Sequence, residues 1–203
     1  KHLTFSTVKA VFGFEDSSNI GIIFFPAIQA VPAFIESDLV GENVPCLIPL
    51  AVDQDPHFRV ARDVLPKLGY YKPAIIHSKF LPSLGPGGKM SSSDPKYSIF
   101  TTDSLETIEK KIMNAFTGQR ETAELQRKYG GNPEICSICQ YYYFLFEQDD
   151  KKVEKIFENE RTGKILAGEH KQDLAKRVIN FIKEHQKKRE RAKDIIDKFM
   201  LRD

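Results

Sequence analysis

The chain has 203 residues, of which 41% are hydrophobic and 29% charged, with a formal net charge of +2; such proportions suit one or two globular domains and exclude a disordered chain. The longest apolar runs, such as "IGIIFFPAI" at residues 20–28, are too short and too interrupted to cross a bilayer as a helix. Three cysteines make no disulfide framework and point to a reducing compartment, with the cytoplasm as the expectation.

Lys1 is followed by no apolar h-region or small-residue cleavage site and is not an initiator Met, so the sequence predicts no signal peptide and reads as a cut end. Further on, "CLIPLAV" (46–52) is a continuous apolar run that stops at "DQDP", the pattern of a buried parallel strand. "HFRVARDVLPKLG" then sets Phe58, Ala61, Val64, Leu65 and Leu68 at helical spacing, with Gly69 as the stop. "PAIIHS" (73–78) is the next strand, and His77 at its end is expected to be a hydrogen-bonded core residue. Strand, helix and strand make a βαβ unit, hence an α/β fold with a parallel sheet.

Ligands of open parallel sheets bind beyond the carboxyl ends of the strands, which directs attention to "DQDPHF" and to "KFLPSLGPGGKMSSSDP" (79–95). In the second stretch Gly85, Gly87 and Gly88 allow close backbone approach, Lys89 supplies a mobile charge, and Ser91 to Ser93 supply hydroxyls. That set suits phosphates. It is not a Walker A loop, because Met90 stands where a Ser or Thr is required.

From about Thr102 the pattern turns helical. "TDSLETIEKKIMNAF" offers Asp103 or Ser104 as a cap and puts Leu105, Ile108, Ile112 and Phe116 on one face. Cys136 and Cys139 lie in an apolar run with no second pair and no neighbouring His, so they read as small core residues rather than zinc ligands. Helical spacing spreads Tyr141, Tyr142, Tyr143 and Phe144 around the axis, which makes most of them core. Beyond Gly168 there is no Gly or Pro, and Leu174, Val178, Phe181, Ile182, Ala192, Ile195, Ile196 and Phe199 continue a helical stripe. Residues 171–203 carry eleven basic and six acidic side chains, a net +5, densest at Lys183, Lys187, Lys188, Arg189, Arg191 and Lys193.

The order Lys89-Met90-Ser91-Ser92-Ser93-Asp94-Pro95 resembles the second signature of class I aminoacyl-tRNA synthetases, the KMSKS-type loop, in its KMSSS form. "FPAIQA", "LIPLAVDQDPHFRVARDV", "GYYKPAIIHSKFLPSL" and "IFTTD" further resemble the tryptophanyl-tRNA synthetases of the archaeal and eukaryotic type. Tyrosyl-tRNA synthetases share the loop, but their corresponding segment usually reads glycine-glycine-x-Asp-Gln where this chain has Leu50-Ala51-Val52-Asp53-Gln54. The resemblance implies the C-terminal part of a Rossmann-type nucleotide-binding catalytic domain over residues 1–102 and an all-α, helical anticodon-binding domain over 103–203.

It also implies roles. Asp53 would accept hydrogen bonds from the ribose of ATP, with capping of the following helix as the plainer role. Gln29 and Gln54 would contact tryptophan, Met90 would present backbone groups to the adenine, and Ser91 and Ser93 would hold phosphates. Lys89 would stabilise the departing pyrophosphate as the tryptophan carboxylate attacks in line, with Mg²⁺ arriving on ATP and no tightly bound protein metal. His57 and Arg62 are further candidates near the nucleotide, and Lys187, Lys188, Arg189 and Arg191 are candidates for tRNA phosphates. Relatives are homodimers. The first class I signature, His-x-Gly-His, is absent from these residues, so the expectation is a C-terminal portion inactive alone. A tyrosyl enzyme and a non-catalytic tRNA-binding or regulatory fragment are the alternatives.

Overall fold

Thr4 opens the first helix, α1 (Phe5–Phe12), by accepting a hydrogen bond from the Thr7 N–H at 3.2 Å, as an N-cap hydroxyl does. Asn19 does the same for α2 (Ile20–Gln29), accepting from Gly21 N–H at 2.8 Å. A short helix, α3 (Ile35–Val40), ends on Gly41 with φ +74°. This is one of the left-handed positions that glycine fills without steric penalty. The computed structural model that defines these elements describes residues 2–200.

The two apolar runs form strands β1 (Leu47–Ala51) and β2 (Ala74–Ser78), paired in parallel from Leu47 opposite Ala74 to Ala51 opposite Ser78. Between them α4 (Asp55–Val64) continues into a 3₁₀ turn (Leu65–Leu68) and stops at Gly69. The order of the βαβ unit therefore holds, but its strands are not buried as expected: Leu50 alone of β1 is buried, and Leu47 and Ile76 are more than half exposed. Ala33, Leu50, Phe58, Ala61 and Leu65 make its core, and burying Phe58 or Leu65 is worth roughly 1.5–3 kcal/mol each.

The rest of the chain is helical: α5 (Leu105–Met113), α6 (Ala123–Tyr129), α7 (Ser137–Tyr141), α8 (Asp150–Arg161) and the 26-residue α9 (Ala167–Ala192). Ser104 caps α5, accepting from Thr107 N–H at 3.2 Å. Ile108 and Ile112 of α5 share one buried cluster with Leu174, Val178 and Ile182 of α9. Periodicity anticipated both faces. Tyr141 and Tyr142 are buried as expected, whereas Tyr143 is half exposed because the chain passes into a π-helical turn (Tyr142–Phe146) that re-aims the rings. The final stripe departs from expectation. Helix α9 gives way to a 3₁₀ turn (Lys193–Lys198), and Phe181, Ile195, Ile196 and Phe199 are exposed.

The chain divides into two compact units, the first ending at Phe80 and the second beginning at Leu81. The sequence reading set its boundary near residue 102; the compact units divide earlier because Leu84 is buried in the helical cluster and Leu81, Met90, Tyr97 and Ile99 pack on it. The signature loop thus belongs structurally with the helices. Within that unit the chain runs close to itself at Gly130, where φ is +66° and a β-carbon would lie 1.7 Å from the Arg161 carbonyl oxygen. Among the described residues no helix is long and apolar enough to cross a membrane.

Candidate functional site

In the first unit, the residues singled out in "DQDPHF" sit where the chain leaves β1. Asp53 lies in a 3₁₀ turn (Val52–Gln54), exposed, and Gln54 is half buried at the N-cap position of α4, where it makes no side-chain cap bond. Asp55, the first residue of α4, holds Arg59 at 2.5 Å and His77 Nε2 at 2.7 Å, which pins the start of α4 to the end of β2. Burial pushes the Asp55 carboxyl up, but the His77 hydrogen bond and the Arg59 charge outweigh it and hold the group below its ordinary value. His77 is hydrogen-bonded as expected but is not a core residue: its side chain is 44% exposed, at the strand's open end.

His57, one turn into α4, stacks on Phe12 with centroids 4.4 Å apart and meets Phe25 edge-on at 5.5 Å. Burial lowers its pKa against the opposing charge of Asp53, and its Nδ1 is buried without a partner. Burial thus favours the uncharged imidazole, and the Asp53 carboxylate opposes it. Arg62 turns the other way and donates to the Pro73 carbonyl, bracing α4 against the entry to β2. Gln29 ends α2 and is half buried.

In the second unit the glycine- and serine-rich loop is tied at both ends. Pro82 and Lys89 form an antiparallel bridge, Met90 N–H donates to Leu81 O at 2.8 Å, and Ser83 Oγ donates to Gly87 O at 2.9 Å. Gly85 lies flat on Tyr97, where a β-carbon would come within 2.8 Å of the ring. At the exit, Ser98 Oγ donates to Ser91 O at 2.6 Å and accepts from Ser91 N–H at 3.2 Å. Ser91 Oγ pairs with Ser93 Oγ at 2.8 Å. Between these ties the tip is open: Gly87 and Gly88 have φ +74° and +78° with nothing within 4 Å of the point where a β-carbon would stand, and Lys89 is exposed. The arrangement presents a cation and two hydroxyls on a loop staked to rigid structure, which is what binding a polyanionic phosphate chain requires.

The basic residues of α9 singled out above, Lys187, Lys188, Arg189 and Arg191, are all exposed. Lys187 lies 3.7 Å from Glu184 and Arg189 lies 3.4 Å from Glu190, so part of this charge is offset along the helix itself.

A family model described as tRNA synthetases class I (W and Y) matches residues 3–183. The chain belongs to that family. The tryptophan–tRNA ligase of Pyrobaculum aerophilum is 50% identical over 201 residues, covering 99% of this chain and 53% of that protein. That of Sulfolobus acidocaldarius is 52% identical, covering 98% and 51%. The solved tryptophanyl-tRNA synthetase of Aeropyrum pernix K1 superposes with a TM-score of 0.87 at 35% identity, over 97% of this chain and 54% of that one. The chain thus spans about half the length of the curated relatives it matches. Of the stretches singled out in the sequence, the Lys89–Ser93 loop is the one most extensively tied to the structure around it. Ser98 and Tyr97, which anchor it, were missed in the sequence, where "KYSIF" carries no pattern beyond alternation.

Proposed function

We propose that the protein containing these residues is a tryptophan–tRNA ligase, which activates tryptophan with ATP to the adenylate and transfers it to its tRNA. The observation that carries this is the clasped KMSSS loop, with Lys89, Ser91 and Ser93 at its open side. No covalent enzyme intermediate is required: the tryptophan carboxylate attacks the α-phosphorus, the bond to the bridging oxygen breaks, and pyrophosphate leaves with the electron pair. Positioning and charge stabilisation carry such a displacement. Lys89 supplies the charge opposite the leaving group, Ser91 and Ser93 hydrogen-bond phosphate oxygens, and Met90 offers its backbone to the adenine. Asp53 accepts from the ribose hydroxyls, while Gln54 and Gln29 hold tryptophan through amides that carry no charge to desolvate. Mg²⁺ enters with ATP as part of the substrate.

In this reading residues 1–102 are the end of a Rossmann-type catalytic domain and 103–203 an anticodon-binding domain, whose exposed Lys187, Lys188, Arg189 and Arg191 meet tRNA phosphates. A cytoplasmic homodimer completes it. Tryptophan is preferred over tyrosine because Leu50-Ala51-Val52 replaces the glycine pair that usually precedes Asp-Gln in tyrosyl enzymes. ATP–pyrophosphate exchange by the full-length protein tests the reading: tryptophan should drive it and tyrosine should not, and exchange with tyrosine alone overturns it.

A further inference from the structure

The helical unit brings together a group of side chains that aminoacylation does not use. Cys136 is the residue before α7 and Cys139 lies within it; Glu160 comes from the end of α8, and His170 from the first turn of α9. All four are buried, with relative exposures of 0%, 0%, 0% and 2%. One oxygen of Glu160, Oε2, takes the His170 Nδ1 donor at 3.0 Å, Gln119 Nε2 at 3.3 Å and the Cys139 thiol at 3.4 Å. The other, Oε1, is buried with no partner. The Sγ atoms of Cys136 and Cys139 and a carboxylate oxygen of Glu160 all lie within 4.8 Å of one another.

We infer that Cys136, Cys139 and Glu160 bind one zinc-class divalent cation, with His170 and Gln119 holding the Glu160 carboxylate in place. In the sequence the pair reads as core, since it lies in an apolar run with no second pair and no neighbouring His; the fold brings a third group, Glu160, from 21 residues beyond Cys139. Two thiolates select a borderline-soft metal over magnesium or calcium, and the Cys-x-x-Cys spacing lets both sulfurs reach one ion. The dication offsets the two thiolates and takes up the Glu160 carboxylate, whose Oε2 already faces Cys139 Sγ at 3.4 Å. A histidine that donates to a ligating carboxylate is a usual outer-shell support. The ligands sit on rigid ground: the Glu160 carbonyl accepts from Gly131 N–H at 2.9 Å and from Gln126 Nε2 at 3.0 Å. Such an ion would crosslink α7 to α8.

The test is metal content and cobalt spectroscopy on the 203-residue chain, purified under reducing conditions from zinc-supplemented medium. We expect one zinc per chain after desalting. Cobalt exchanged into the chain should give thiolate-to-metal charge-transfer absorption, which two coordinated sulfurs are enough to produce. Glu160→Gln and Cys139→Ala should each lower metal content at least tenfold while retaining helical circular dichroism. The wild-type cobalt spectrum needs no variant, so a misfolded mutant cannot hide the answer. A wild-type chain that takes up neither zinc nor cobalt overturns the inference, as does a Cys136–Cys139 disulfide in the reduced preparation or cobalt bands unchanged in both variants.

Discussion

Ser98→Ala isolates what the clasp on the signature loop contributes. Ser98 is 2% exposed and its hydroxyl makes two hydrogen bonds with the Ser91 backbone, one donated at 2.6 Å and one accepted at 3.2 Å. Alanine removes one oxygen and leaves the β-carbon, so packing around Tyr97 and Ile99 is kept. At about 1 kcal/mol net per hydrogen bond the change weakens the clasp by about 2 kcal/mol. If that energy holds the loop in its working position, the competent population falls by roughly thirtyfold, at about 1.4 kcal/mol per factor of ten. The loss should appear in tryptophan-dependent ATP–pyrophosphate exchange by the full-length protein, at saturating tryptophan. Tryptophan binding without ATP should stay within about twofold, because the energy at stake is confined to the loop. Exchange within twofold of wild type would refute the reasoning, and so would an equal loss in tryptophan binding.

Lys89→Ala should slow exchange by roughly 10²–10³, the usual effect of losing one group that stabilises transition-state charge, with tryptophan affinity little changed; comparable losses in both would remove its assigned role. Gly130→Ala combines a left-handed backbone with a β-carbon 1.7 Å from the Arg161 carbonyl. It should destabilise the helical unit by more than about 3 kcal/mol in urea titrations, and a cost below about 1 kcal/mol would contradict the close approach. The Asp55 carboxyl is depressed in the folded state, so the unfolded chain binds more protons at acid pH. Its contribution is present above the unfolded carboxylate value near pH 4 and is lost as pH falls through the lower folded one. Melting temperature followed against pH should therefore show a shallower acid limb in Asp55→Asn than in wild type; identical limbs would discount the Asp55–His77 contact.

Local pattern carried a good part of the architecture. "CLIPLAV" and "PAIIHS" became β1 and β2 because short continuous apolar runs bounded by turn residues have few other stable fates. Ser104 and the spacing of Ile108 and Ile112 marked α5 equally well. What escaped depends on distance in the chain. The Ser91–Ser98 clasp, the packing of Leu84 beneath the helices and the meeting of Cys139 with Glu160 and His170 are tertiary facts with no periodic signature. Nothing between Gly168 and Asp203 breaks a helix in the sequence, yet the apolar residues after Ala192 find no packing surface among the described residues, and α9 ends there. In the candidate site, motif order identified the loop, while only the tertiary fold separated Arg62, spent on the Pro73 carbonyl, from His57 beside Asp53.

The two glycines at the loop tip have a consequence that concerns handedness. At φ +74° and +78°, with open space where a side chain would stand, Gly87 and Gly88 occupy backbone that is strained for an L residue and comfortable for its mirror image. D-alanine introduced there by semisynthesis would meet no steric obstacle and would stiffen the tip by narrowing its unfolded ensemble, an effect of about 0.4–1 kcal/mol. L-alanine at the same positions would strain it. Chirality at one atom thus becomes a dial for the mobility of this loop, leaving Lys89 and every hydroxyl in place.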